Sequence, residues 1–400
     1  MFTRSSFRDF RGSAAAVWLV VPWLLASSCG DSSPQATLDE VYDQGLTLYV
    51  GAFPPDNEVP LEGGVTRFEF DVPEDPTVEP RGPLCLRGTL FSVETRPGNS
   101  DELFIWLQEG GACWGDFCAA TEETSDIFDD GILDPAVPNN PLGEHDLVYV
   151  PYCDGSLFAG DVDRPLPPSI VDPSTVGDTL SFQRGLQNLT AALDIAKAQF
   201  PNPTRVVLAG SSGGSFGTIT ATPLVRFYYP DVDIMVISDS GIGIVRDGEP
   251  EFLEGLLTGW NALQLIPESC ADCIADGNTT GFIRWNLEND PNVFMAPITH
   301  VRDAIIGGFF LRLEPEEYER AVLRETDALA ADFPDRYRRY LQPGENHSVM
   351  LNAGPVVPFL TSMLGSLLEE DIEGVTPLSW ITAAVEQSEA WQDTVDPSIR

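Results

Sequence analysis

The sequence predicts an α/β fold, a doubly wound and mostly parallel sheet with helices on both faces. Three observations predict it. Residues 103–107 (LFIWL), 147–150 (LVYV), 206–209 (VVLA) and 234–237 (IMVI) are short continuous apolar runs, the composition of strands buried on both faces. Between the second and third, Leu186, Leu189, Leu193, Ala196 and Phe200 recur at three- and four-residue spacing, so residues 182–200 read as a helix that stops before Pro201. A second helix from Gly214 to about Tyr229 closes at Pro230 and carries the chain across to the strand at 234.

The elements outside this pattern come first in the chain. Arg4, Arg8 and Arg11 precede an apolar stretch over 14–25 and then small residues, the layout of a secretory signal over 1–28. Pro22 and the short length of the stretch argue against a spanning anchor. The run Ala26-Ser27-Ser28-Cys29 resembles a bacterial lipobox, which implies a lipid anchor on Cys29, although that motif usually has Leu where Ala26 stands. The expectation is an exported protein, tethered to the cell envelope as a lipoprotein, or secreted if the signal is an ordinary cleaved one. Residues 29–78 are rich in Pro, Asp, Glu and Gly, with a short apolar run at 46–50 and alternation over 65–72. They read as a tether followed by edge strands or a small hairpin, leaving 79–400 as the main domain.

Seven cysteines are an odd number, and assigning Cys29 to a lipid leaves six: Cys85, Cys113, Cys118, Cys153, Cys270 and Cys273. An even set in an exported chain suggests disulfides, with Cys113 near Cys118 and Cys270 near Cys273, while the full pairing stays open. Zinc at Cys270 and Cys273 is the rival reading. It needs further ligands, and with only His145, His300 and His347 in the chain no second pair has matching spacing.

The formal net charge is −40, and Lys197 is the only lysine. Such a surface repels nucleic acid and anionic membranes, so neither is an expected partner and the membrane is met only through a lipid at Cys29.

The sharpest motif is Gly210-Ser211-Ser212-Gly213-Gly214, a G-x-S-x-G directly after a strand and before a helix. A tight strand-to-helix turn exposes the serine Oγ, and the flanking glycines let the elements approach and leave the Gly213 N–H facing an oxyanion. A P-loop is the competing reading of such a turn, but no lysine follows. The motif points to a nucleophile elbow and an α/β-hydrolase-like sheet.

A serine nucleophile needs a base. His347, in a loop after Pro343-Gly344, fits the chain order serine, acid, histidine; His300 is the second candidate, and His145, ahead of the elbow, reads as structural. For the acid, Asp239 ends the strand after the nucleophile helix and Asp303 lies just past the next strand, 293–299.

The chain resembles the pectin acetylesterase and Notum family of carboxylesterases. The resemblance rests on LQEGGACW (107–114), NPLGEHDLVYVPYCDGSLFAGD (140–161), AGSSGGSFG (209–217), SDSG (238–241) and APITHVRD (296–303). It implies a triad of Ser212, Asp303 and His347, with Asp239 as the alternative acid and otherwise a structural residue. The second oxyanion donor is expected from Gly110-Gly111-Ala112. Family members usually show three consecutive glycines there, and Glu109 stands at the first, which is expected to bring a carboxylate to the pocket rim or to reshape the loop. Trp114 is either a pocket wall or a core aromatic.

The resemblance further implies acyl transfer through an acyl-enzyme, without metal or organic cofactor, on an ester-bearing substrate such as an acetylated glycan. The negative charge disfavours a polyuronate, and it is expected to raise the His347 pKa in a salt-dependent way. A binding lipoprotein that has kept the fold and lost activity is the reading from another class.

Overall fold

A computed structural model describes residues 38–78, 81–170, 179–351, 366–368 and 371–399. These all fall within one compact unit, Ser33–Arg400. The signal over 1–28 and Cys29 lie outside the described residues.

The described residues begin with short helical turns over residues 39–46. They pack onto the body of the protein: Leu38, Val41 and Leu46 are buried in its core and the Tyr42 hydroxyl donates to Pro223 O at 3.0 Å. The apolar run at 46–50 therefore continues a helical segment into turns and forms no strand, while the alternation at 65–72 does. β1 (Asn57–Pro60) and β2 (Thr66–Phe70) form an antiparallel hairpin that continues onto β3 (Phe91–Arg96). Next come β4 (Leu103–Leu107), the small hairpin β5 (Gly111–Trp114) and β6 (Phe117–Ala120), and β7 (Asp146–Val150).

A second hairpin, β8 (Val162–Leu166) with β9 (Thr179–Gln183), precedes α1 (Gly185–Gln199). Phe182 belongs to that hairpin, so the helix read from 182 starts three residues later. β10 (Arg205–Ser211), α2 (Gly213–Tyr228) and β11 (Asp233–Asp239) follow the expected pattern. The chain continues through α3 (Pro250–Gly259), α4 (Thr280–Asn289), β12 (Val293–His300), α5 (Pro315–Asp332), β13 (Tyr340–Gln342), α6 (Pro377–Val385) and β14 (Thr394–Val395).

The main sheet has ten strands in the order β1-β2-β3-β7-β4-β10-β11-β12-β13-β14, parallel from β7 to β14 and antiparallel from β1 to β7. Continuous apolar runs suit it because alternate residues feed two separate cores. Leu103, Ile105 and Leu107 face one side with Val206, Leu208, Ile234 and Val236, while Phe104 and Trp106 face the other with Val207, Ala209, Met235 and Ile237. Helices α1 and α2 cover the first face, and α6 covers the second.

One local detail shows how a rule break is repaired. Pro223 inside α2 leaves the Ile219 carbonyl without its helical donor, and Asn286 Nδ2 of α4 takes that place at 3.1 Å. The strand order also matters for the site. From β4 the chain adds β7 on one side and β10 on the other, so the loops leaving β4 and β10 diverge at the carboxyl edge of the sheet and open a crevice there.

Three disulfides join Cys85 to Cys153, Cys113 to Cys118 and Cys270 to Cys273. The last consumes both thiols that the zinc reading required.

Candidate active site

The crevice is bordered by the turn after β10. Ser212 sits there at φ 51°, ψ −117°, a conformation that L residues adopt only when the surroundings hold them. Close approach explains the glycine that follows: a Cβ on Gly214 would lie 2.0 Å from Leu107 O, so any side chain would push α2 off β4. The turn is also tied laterally, since Ser212 N–H donates to Asp239 O at 2.9 Å.

The loop after β4 forms the facing wall. Gly111 adopts φ +81°, and a Cβ there would lie 2.0 Å from Ala119 O across the β5–β6 hairpin. Gly213 and Gly111 face one another, a Cβ on the former meeting Gly111 O at 3.0 Å. Gly110 is packed flat against Tyr152, whose hydroxyl donates to Gly111 O at 2.8 Å. Gly110, Gly111 and Gly213 are thus brought to one place.

Asp303 and His347 meet at the same edge. Asp303 caps the helical turn over Ala304–Phe310: its Oδ1 accepts from Ile305 N–H at 2.8 Å and Ile306 N–H at 2.9 Å. That leaves Oδ2 to face His347 Nδ1 at 2.7 Å, with the two residues 1% and 2% exposed. A proton on Nδ1 satisfies the carboxylate and makes Nε2 the basic nitrogen. Burial is the largest influence on the imidazole and pushes its pKa down. The charge and hydrogen bond of Asp303, with Asp239 and Glu109 further off, outweigh it, so the net direction is up. The causes are local and buried, where the expected whole-surface effect of the acidic charge would have been screened by salt.

Asp239 binds the segment that follows His347 and does not bond to its ring. Oδ2 accepts from Ser348 Oγ–H at 2.5 Å and Met350 N–H at 2.9 Å, and Oδ1 accepts from Val349 N–H at 3.1 Å. Ser240 Oγ–H donates to His347 O. Ser211, beside the nucleophile candidate, donates to Ser348 Oγ at 2.9 Å, so the immediate neighbours of Ser212 and His347 touch.

The other two histidines lie differently. His300 is buried at the carboxyl end of β12, on the site's side of the sheet, but it is His347 that Asp303 meets. His145 precedes β7 and therefore lies at the opposite end of the parallel strands, where its Nε2 is 2.9 Å from Glu102.

Glu109 departs from expectation. It is 2% exposed and does not line the cavity at Ser212, and neither carboxylate oxygen has a hydrogen-bond partner in another residue. Burial pushes its pKa up to about 7. The loop is not reshaped into the pocket; the side chain turns inward.

Against Ser212 lies a cavity of about 60 Å³ whose walls are almost wholly apolar, including Trp114, Phe216, Phe252, Trp260, Ile306 and Phe310. Trp114 is thus a pocket wall that also packs on the core. Sequence reasoning missed the contributions of α3 and of residues 304–310, which carry no motif and come together only through the fold.

Residues 82–248 match the pectinacetylesterase family model. Ser212, the two glycine segments and Asp239 fall inside that stretch, while Asp303 and His347 lie beyond it. Pectin acetylesterase 11 of Arabidopsis thaliana is 25% identical over 177 residues, 40% of this chain and 43% of the relative, so the match spans less than half of that protein's length. The Wnt deacylase Notum from Drosophila has a similar fold, with a TM-score of 0.51 and 15% identity over 79% of this chain and 92% of that one. The matched segment and the shared fold agree: residues 82–248 are similar to the pectinacetylesterases, and the fold is similar to that of Notum.

Proposed function

We propose that this chain is an exported serine carboxylesterase acting on short acyl esters. The observation that carries the reading is the 2.7 Å contact between His347 Nδ1 and Asp303 Oδ2 beside a serine held at φ 51°. In the proposed cycle His347 Nε2 takes the Ser212 proton, Oγ attacks the ester carbonyl, and the oxyanion is received by the Gly213 N–H and a donor from Gly110 or Gly111. Asp303 keeps the imidazole in its tautomer and orientation and stabilises the imidazolium. His347 then protonates the leaving alcohol, and water, activated by the same base, releases the acid. Neither a metal nor an organic cofactor enters.

The apolar cavity supports an acyl rather than a charged group beside Ser212. At about 10–15 Å³ for each water-sized position, its 60 Å³ admits roughly four to six such positions, an acetyl or slightly longer chain. The names of the two relatives, an acetylesterase and a deacylase, share this chemistry. The net charge of −40 favours a neutral acetylated glycan or small ester over a polyuronate. Export is supported by the basic-apolar start of the sequence and by three disulfides; acylation of Cys29 would tether the enzyme to a membrane.

The test is hydrolysis of an aryl acetate by the purified protein beside Ser212→Ala. Turnover lost in the variant supports the reading. No turnover by folded wild-type protein on aryl acetates, butyrates or acetylated oligosaccharides overturns it.

A further inference from the structure

The loop that faces the nucleophile turn is clamped by one buried phenol. Tyr152 is fully buried, and its hydroxyl meets two backbone groups, Gly111 O at 2.8 Å and Leu157 N at 3.0 Å. Leu157 N–H can only donate, so the hydroxyl accepts from it and sends its single proton to Gly111 O. The rest of the side chain is fixed as well. Tyr152 N–H donates to Gln108 Oε1 at 2.9 Å, and Phe158 packs on the ring at 5.1 Å between ring centres. Gly110 lies so close that a Cβ there would come within 2.0 Å of Tyr152 Cδ1.

Two features tie this clamp to the site. The first is strain on its far side. Leu157 and Phe158 are consecutive non-glycine residues at φ 55° and 61°, the left-handed region that side chains seldom occupy. Held there, Leu157 gives its N–H to the phenol and its side chain to the cavity at Ser212, with Cδ2 3.4 Å from where a Gly213 Cβ would be.

The second is the place of the clamped group. A Cβ on Gly213 would meet Gly111 O at 3.0 Å and Gly111 N at 3.5 Å, so the Gly111 backbone borders the nucleophile turn. A peptide group turns as a rigid unit with its C=O and N–H pointing opposite ways, and two successive glycines offer little resistance to rotation. Thr121 N–H holds Gly110 O at 2.8 Å, and Tyr152 holds Gly111 O. Bonds on these two carbonyls set the direction of the N–H that lies between them, that of Gly111.

We propose that Tyr152 is a positioning residue for the oxyanion loop: its hydroxyl holds the Gly111 carbonyl, which keeps that oxygen from turning toward the Gly213 N–H and leaves the loop's own N–H for the substrate oxygen that gains charge. The inference rests on Ser212 acting as an acyl-transfer nucleophile. Being fully buried, Tyr152 acts through the loop and not on the substrate.

The experiment removes the hydroxyl and keeps the ring. Tyr152→Phe is compared with wild type, Ser212→Ala and Tyr228→Phe, whose hydroxyl bonds Asp194 at 2.6 Å at the far end of α2. On each protein kcat and KM are measured with an aryl acetate, beside a thermal melt. The rate at which an aryl phosphonate modifies Ser212 is measured too; there Oγ displaces the aryloxide from phosphorus and the phosphoryl oxygen takes the oxyanion's place. Loss of a whole oxyanion donor costs about 10²–10³-fold, and a misdirected one costs less. The expected result for Tyr152→Phe is therefore a fall of about 10-fold or more in kcat and in phosphonylation, with KM within about three-fold of wild type, while Tyr228→Phe changes only the melt. A folded Tyr152→Phe with wild-type kcat, a loss confined to KM, or an equal loss of kcat in Tyr228→Phe overturns the proposal.

Should Tyr152→Phe not fold, a crystal structure of the phosphonylated wild type decides. A phosphoryl oxygen within hydrogen-bond distance of Gly111 N, with the Tyr152 hydroxyl still on Gly111 O, supports the proposal; a phosphoryl oxygen turned away from this loop overturns it. Failure of the clamp and failure of the esterase reading look different. Ser212-dependent hydrolysis unchanged in Tyr152→Phe keeps the esterase and removes the clamp. Phosphonylation of Ser212 that depends on the Tyr152 hydroxyl, in a protein that hydrolyses no carboxylic ester, keeps the clamp and removes the esterase.

Discussion

Two histidines in this molecule sit within hydrogen-bond distance of a carboxylate, at opposite ends of the same strands. His347 Nδ1 lies 2.7 Å from Asp303 and His145 Nε2 lies 2.9 Å from Glu102. Their pKa values move in opposite directions. For His145 burial is the largest influence and, helped by the nearby Arg205, keeps it down despite Glu102. Glu102 is 25% exposed and shared with that arginine at 3.6 Å, so its charge is diluted by solvent and by a competing cation. Asp303 is buried, held by two backbone N–H groups and aimed at one ring nitrogen. A histidine beside an acid is thus not yet a base: the neighbours of the acid decide.

The comparison is broken most severely by exchanging the two histidines for alanine. His347→Ala should lower kcat by about 10⁴-fold or more, whereas His145→Ala should leave kcat/KM within a few-fold and cost only stability; steady-state kinetics and a thermal melt on both variants check this. Equal losses would mean that the two pairs are not functionally distinct.

A smaller cut separates the carboxylates. Asp303→Asn should reduce kcat by about 10³–10⁴-fold, because an amide cannot hold the Nδ1–H tautomer. Asp239→Asn should cost about 1–3 kcal/mol of stability through lost acceptors for Ser348, Val349 and Met350, and a lesser fraction of kcat because the His347 loop loosens. Denaturant melts and kcat measured together distinguish them; a larger catalytic loss at Asp239 would reverse the assignment of the acid.

The gentlest probe is pH itself. His347 must be neutral to act as base, and its folded pKa lies above the ordinary 6.5, so activity should rise with pH through a value above 6.5. The same raised pKa adds stability below 6.5 that is lost as pH rises through the folded value. Because the causes are buried, raising the salt concentration should move the rate profile little; a large displacement would restore the acidic surface as the cause.

Much of the frame was legible in sequence because its physics is local. The apolar runs at 103–107 and 206–209 read as strands since both of their faces are buried, and the glycines around Ser212 are legible because close approach leaves no room for a Cβ. His347 and Asp303 needed chain order and family resemblance, since 44 residues separate them. What stayed hidden depends on long-range contact. Cys85 and Cys153 are 68 residues apart and carry no local sign of pairing. The Ser348 and Met350 partners of the Asp239 carboxylate stand more than 100 residues away. The burial of Glu109 has no local sign either, and its neighbour Gln108 accepts from Tyr152 N–H, 44 residues on.

Asp303 does two jobs with its two oxygens, and the second has a mechanical consequence. The turn it caps carries Ile306 and Phe310, which form part of the cavity wall beside Ser212. On the proposed assignment, the wall that would gauge the acyl group and the acid that would orient the imidazole are joined at Asp303. A chain too bulky for the cavity would press on Ile306 and Phe310 and, through the capped turn, on the Asp303 carboxylate. On the proposed assignment, chain-length selection is then expressed in turnover as much as in affinity.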